Sequence, residues 1–194
     1  AGIATPRDVG HLRQSLAALP EVAAVSEGTP GAPRIPDCSD IHQLLCAGIV
    51  DDPPATLGKG GAIRPGFAPE LDGYRERARE AREWIANLER MERERTGIKS
   101  LKVGYNKVFG YYLEITAAAL AAAERERSAA SASNGSVLPA DYIPKQSLAN
   151  ATRYFTPQLK EYETVVLTAQ DTLAEIEADV FKRITTQVAG AANR

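Results

Sequence analysis

Two groups of residues invite a chemical reading, and both fail on geometry. Cys38, His42 and Cys46 recur at i, i+4 and i+8 of a run with helical periodicity, and they are the donor types of a soft-metal site. Eight helical residues span about 12 Å, whereas thiolates sharing one zinc each lie about 2.3 Å from it. The same span excludes a Cys38–Cys46 disulfide, so these residues read as ordinary helix positions. The glycine-rich run Thr56–Phe67 (TLGKGGAIRPGF) holds Lys59, as a phosphate loop would. The spacing GxxxxGK[ST] is absent and no strand precedes it, so the run reads as a loop or small hairpin. His11 and His42 fall on helical stretches without a paired nucleophile, which leaves an enzyme reading unsupported.

A third feature is electrostatic. Between Ile98 and Thr156 seven cations (Lys99, Lys102, Lys107, Arg125, Arg127, Lys145, Arg153) stand against four carboxylates (Glu114, Glu124, Glu126, Asp141), a net of +3. The chain as a whole carries −2, so the remainder carries −5. A modestly basic, aromatic-bearing module on an acidic support suits contact with a polyanion, of which the phosphate backbone is the commonest.

The elements that must position this module follow from periodicity. Leu101, Val103 and Tyr105, then Tyr111, Leu113 and Ile115, alternate with polar neighbours at the period of two that defines strands. Asn106–Gly110 joins them as a hairpin loop, with glycine where the backbone needs positive φ. Asp141–Leu148 and Thr152–Thr156 supply further strands, since an isolated pair is marginal in water. The five tyrosines at strand spacing, Tyr105, Tyr111, Tyr112, Tyr142 and Tyr154, read as core. Ala117–Val137, alanine-rich and then Ser/Asn/Gly-rich, reads as a short helix followed by a mobile loop near the support.

Two long helices bracket the strands. Leu71, Tyr74, Ala78, Ala81, Ile85 and Leu88 recur at steps of three and four, and Thr96-Gly97 closes that helix. Leu159, Tyr162, Val166, Ala169, Leu173, Ile176, Val180, Ile184 and Val188 form a stripe of like period after the Thr156-Pro157 start. Such stripes bury each other best as an antiparallel pair. Upstream, Thr5-Pro6 opens a helix that Pro20 limits, SEGTPGAPRIP is a loop, and a second helix runs from near Ser39 to Val50. The expected fold is α+β, mainly α: a long antiparallel helix pair with a small antiparallel β module at its end. The expected divisions are 1–97, 98–156 with an insertion at 117–137, and 157–194. No apolar run approaches the roughly 20 residues of a membrane span, which makes the cytoplasm the default location. The chain opens without methionine and its first helix begins almost at once, as in a piece of a longer protein.

The motifs LKVGYNKVFGYYLEIT and LPADYIPKQSLANATRYFTPQLKEYE resemble the clamp segment of the bacterial MutS mismatch repair family, and GGAIRPGFAPELDGYR, WIANLERMERERTGIKS and TPRDVGHLRQSL resemble its helical core. The resemblance implies a lever of core helices carrying a clamp that closes over double-stranded DNA, contacting its backbone. It implies a parent protein that is a homodimer, uses ATP with Mg²⁺ and meets a MutL-type partner. This chain has neither a Phe-x-Glu mismatch-reading motif nor a phosphate-binding loop, so it is expected to be non-catalytic, cofactor-free and monomeric alone, with no membrane partner. A helical interaction module whose β head docks a protein is the alternative.

The first strand runs out, the second returns and the third runs out again, so the two turns share the end of the module remote from the helices. That places Asn106, Lys107 and Asn150 at the tip and Lys145, Gln146 and Arg153 on the strands behind as the DNA-contacting set. Lysine and arginine would neutralise phosphates, and the amides would donate hydrogen bonds to phosphate oxygens without reading sequence. Pro144 and Ala149 stand where the family often has basic residues, which lowers the expected affinity.

Overall fold

The computed structural model describes residues 4–27, 29–58, 60–130 and 136–191. Lys59, and residues 131–135 of the expected mobile loop, lie outside them. Among the described residues six helices and four strands follow in the order α1 (Pro6–Ala17), α2 (Leu19–Glu27), α3 (Ser39–Gly48), α4 (Pro69–Thr96), β1 (Lys102–Asn106), β2 (Gly110–Thr116), α5 (Ala117–Ala130), β3 (Ile143–Ser147), β4 (Ala151–Phe155) and α6 (Pro157–Ala191). The fold class is α+β and mainly α. No helix among the described residues is long and apolar enough to cross a membrane. The chain divides into two compact units, residues 1–76 with 169–194, and residues 77–168. The strands thus share a unit with the adjoining parts of the two long helices.

In the first unit, α1 begins with a capping box: the Thr5 hydroxyl accepts from the Asp8 N–H at 3.2 Å and the Asp8 carboxylate accepts from the Thr5 N–H at 2.8 Å. α1 ends at Ala17, short of Pro20, as expected, but Pro20 does not keep a second helix from starting there. It falls in the first turn of α2, where a missing N–H breaks no helical bond. The loop before α3 and the α3 helix itself follow the sequence reading. Val9, Leu45, Ile49, Ile63, Leu71, Val180, Phe181 and Ile184 build one core. Arg75 of α4 lies 3.7 Å from Glu177 of α6, and Glu70 pairs with Arg183, so these helix segments run antiparallel.

Two buried charges hold the connections in this unit. The Arg13 guanidinium donates to the carbonyls of Ile49, Val50 and Asp51 at 2.9, 3.1 and 3.0 Å, satisfying acceptors just past α3. Glu177, 1% exposed, accepts through one oxygen from the N–H groups of Gly61, Ala62 and Ile63 at 2.9, 2.9 and 3.2 Å. The glycine-rich run is therefore a loop pinned onto α6, with a single bridge between Ile49 and Ile63.

In the second unit, α4 ends at Gly97, whose φ of +73° is the left-handed geometry that stops a helix. The sheet order is β1-β2-β4-β3, antiparallel throughout. Leu101, Leu113, Ile115 and Tyr154 meet Leu88, Ile98 and Leu159 in a second core, and Ala119, Leu120 and Ala123 of α5 pack against it. Trp84 stacks on Tyr162 with ring centroids 4.6 Å apart. The entry to β3 is latched to the end of α4: the Tyr142 hydroxyl donates to buried Glu92 at 2.7 Å, and Arg95 grips Asp141 through two bonds of 3.0 and 2.6 Å.

Candidate nucleic-acid interface

The six candidate residues separate into three places along the sheet. At the β1–β2 turn, Asn106 spends its side-chain carbonyl on the chain itself, accepting from the N–H groups of Val108 at 2.8 Å and Phe109 at 3.3 Å. Lys107 is exposed beside it. Gly110 closes the turn with φ +75°, and a Cβ there would sit 1.9 Å from the Glu163 carboxylate of α6, so the turn is seated against that helix. Lys145 reaches the same turn from β3, donating to the Phe109 carbonyl, with its ammonium 5.4 Å from the Phe155 ring centre.

Arg153 and Gln146 occupy the middle of the sheet. Arg153 donates to Glu114 at 2.8 Å and to Gln146 at 3.0 Å, and its guanidinium lies 4.2 Å from the centre of the Tyr112 ring. That ring in turn lies over Gly104, where a Cβ would come within 2.5 Å of it. Cross-strand pairing opposes Glu114 to Arg153, so the register itself neutralises this cation.

Asn150 lies at the other end. Thr116 pairs with Ala151 while Leu113 pairs with Tyr154, which puts the β3–β4 turn at the sheet end opposite the β1–β2 turn. The expectation that both turns share one end is therefore overturned. It assumed that β3 follows β2 in space, whereas β4 is the neighbour of β2 and β3 takes the far edge. Exposed Asn150 accepts the Ala117 N–H on its backbone carbonyl at 2.9 Å, which joins this turn to the first residue of α5. Thr116 caps α5 by accepting from the Ala119 N–H at 3.2 Å. Lys102, which opens β1, sits opposite Glu114 in the row of Arg153, and Lys99 precedes it in the chain; both are exposed. Neither was singled out from the sequence, and only the strand register could have done so.

The latch residues carry the perturbed titrations of this unit. Hydrogen bonding from Arg95 holds the Asp141 carboxyl below its ordinary value. Burial, and then the bond to Glu92, push the Tyr142 hydroxyl well above its own. Tyr154 is buried with Tyr142 as expected, but Tyr105 is 49% exposed and is not core. In the first unit Cys38 precedes α3, and the Cys46 sulfur lies 3.4 Å from His42 Nε2. Among the described residues no group of three His, Cys, Asp or Glu side chains is arranged to hold a metal. The interface chemistry available is thus charge neutralisation and hydrogen bonding to an anion, strongest where cations and amides are not already engaged.

The profile of MutS family domain IV matches residues 66–172. DNA mismatch repair protein MutS of Halalkalibacterium halodurans is 42% identical over 193 residues, covering 96% of this chain and 21% of that protein. MutS of Methanosarcina acetivorans is 39% identical over 194 residues, covering 95% and 20%. MutS of Acetivibrio thermocellus is 46% identical over 156 residues, covering 80% and 16%. The chain spans about a fifth of the length of the curated relatives it matches. A family profile matched over more than half of the chain, with such identity along nearly all of it, shows that the chain belongs to the MutS family.

Proposed function

We propose that this chain is a non-catalytic, DNA-contacting piece of a mismatch repair protein, and that it grips duplex phosphates from the sheet end that carries Asn150. The observation that carries the proposal is the pairing of Thr116 with Ala151, which sets that end apart from the turn seated on α6. The Asn150 amide supplies a donor there, and exposed Lys99 and Lys102, before and at the start of β1, supply charge, Lys102 from the row of Arg153. The first turn of α5 adds partial positive charge that favours an anion. None of these groups distinguishes one base from another. Lys107 and Lys145, the other lysines of the sequence-based set, would serve a contact at the opposite turn, where Lys145 is already engaged. For the whole protein the proposal extends to a homodimer that uses ATP with Mg²⁺ and meets a MutL-type partner.

Titrating a short duplex against the chain tests this. Two neutralised phosphates give a slope of log K against log salt of about −1.8, or roughly a tenfold loss between 50 and 200 mM. Lys102→Ala should remove about 0.9 from that slope. Asn150→Ala should weaken binding about fivefold, the worth of a hydrogen bond of about 1 kcal/mol. Affinity indifferent to salt, or a loss on Lys107→Ala with none on Lys102→Ala, would overturn the assignment. One observation favours the alternative of a protein-docking head: the β1–β2 turn exposes Val108 and Phe109.

A further inference from the structure

The β1–β2 turn has a composition its own architecture does not require. Its shape is set by Asn106, whose carbonyl takes two N–H groups, and by Gly110, whose positive φ closes it. Positions 108 and 109 contribute only backbone groups to this shape, the two N–H groups and the Phe109 carbonyl, so serine or threonine would satisfy it equally well. They are instead Val108, 81% exposed, and Phe109, 41% exposed, with Tyr105 beside them leaning on the Tyr111 ring at 4.9 Å. Grouped exposed apolar side chains cost solubility and mark contact surfaces.

The turn is also unusually well anchored. Gly110 abuts the 4%-exposed Glu163, and Lys145 ties the Phe109 carbonyl from across the sheet. A rigid apolar knuckle gives up little conformational entropy when covered, which is what an efficient docking site needs. Residues 106–110 and 143–145 together carry two lysines, Lys107 and Lys145, and no carboxylate. Glu163, the nearest acid on α6, is buried and paired with Lys160 at 3.2 Å.

We propose that this turn is a preformed docking site for a protein segment in which acidic residues flank an apolar anchor. The apolar anchor covers Val108 and Phe109, and its carboxylates meet Lys107 and the ammonium of Lys145, which has three N–H donors and gives one to the Phe109 carbonyl. The proposal is independent of the DNA reading, because the knuckle and Asn150 lie at opposite ends of the sheet.

The test immobilises the 194-residue chain and offers it a displayed library of short peptides, with the Val108→Ser/Phe109→Ser variant for counter-selection. Enriched peptides should carry Asp or Glu next to Leu, Ile, Phe or Trp. They should bind the unaltered chain about tenfold more tightly than that variant, the loss expected of a central apolar anchor. Lys107→Glu, a change at an exposed side chain that leaves the fold intact, should lower the same affinity. Four results would overturn the proposal: no enriched peptide, enriched peptides without acids, binding indifferent to both variants, or a loss of about tenfold or more in duplex affinity for the double serine variant, which would make the turn a nucleic-acid wedge. Unchanged thermal unfolding of each variant accompanies the comparison.

Discussion

Gly110→Ala should destabilise the second unit by about 3 kcal/mol, for two separable reasons. At φ +75° an L-residue's Cβ crowds its own backbone, which costs about 1–2 kcal/mol. The same Cβ would lie 1.9 Å from Glu163 Oε1 and 2.5 Å from its Cδ, and the carboxylate has little room to yield because Glu163 is 4% exposed. Overpacking of this kind costs about 1–3 kcal/mol. Glu163→Ala removes the second cost and leaves the first. The pair of changes should therefore be coupled: Gly110→Ala should cost only about 1–2 kcal/mol in the Glu163→Ala background, the conformational part alone.

The chain carries its own probe. Its single tryptophan, Trp84, stacks on Tyr162 in the same unit, so urea unfolding followed by Trp fluorescence reports on that packing. With a slope near 2 kcal/mol per molar urea, 3 kcal/mol lowers the midpoint by about 1.5 M. The reasoning fails if Gly110→Ala shifts the midpoint by less than about a quarter of a molar. It also fails if the four variants of the cycle are additive within about 0.5 kcal/mol, which would mean the turn is not seated on Glu163.

Two further outcomes follow from buried polar contacts. Glu177→Ala strands the N–H groups of Gly61, Ala62 and Ile63, and losing the buried acceptor should cost about 3–5 kcal/mol, against about 1–2 for Glu177→Gln, whose carbonyl still accepts; hydrogen exchange at Ala62 and Ile63 should accelerate in the first variant and hold in the second. The latch should make stability depend on pH from both sides: Asp141, lowered by Arg95, stabilises above the ordinary carboxylate value and loses that contribution as pH falls through its folded value. Tyr142, raised by burial, stabilises below its ordinary value near 10 and loses the contribution as pH rises beyond it. Melting temperatures of Asp141→Asn and Tyr142→Phe should thus converge on the unaltered chain at the acid and alkaline extremes respectively, and a pH-independent gap would contradict the assignment.

The helices were legible because their signals are local. Thr5-Pro6, Gly97 and the three-and-four spacing from Leu71 to Leu88 each act within a turn or two of chain, and the structure follows them. The α2 helix escaped notice because proline is read as a stop, although the same residue fits a first turn just as well. Glu177 was invisible for another reason. Its apolar neighbours on α6 form a regular stripe, and a carboxylate on that face looks like a solvated residue until a loop more than a hundred positions earlier offers three N–H groups to it.

The proposed interface failed to emerge from the sequence for a topological reason. A short turn forces its two strands to be neighbours, so β1–β2 and β3–β4 followed from the loops that join them. Between Thr116 and Ile143 the chain runs through residues 117–142, α5 included, a connection long enough to reach either edge of the sheet. Whether β3 or β4 then pairs with β2 depends on side-chain packing that no local pattern encodes. That one choice decides which end Asn150 occupies. It also decides the availability of charge. With β4 against β2, Arg153 faces Glu114 and bonds it, whereas Lys102, opposite the same Glu114 from β1, stays exposed. A count of +3 over the module treats those two cations alike, although Arg153 is bonded to Glu114 while Lys102, across from the same carboxylate, is exposed. Net charge therefore suggests a class of partner to propose, and the bonds a cation already makes decide whether it is open to that partner.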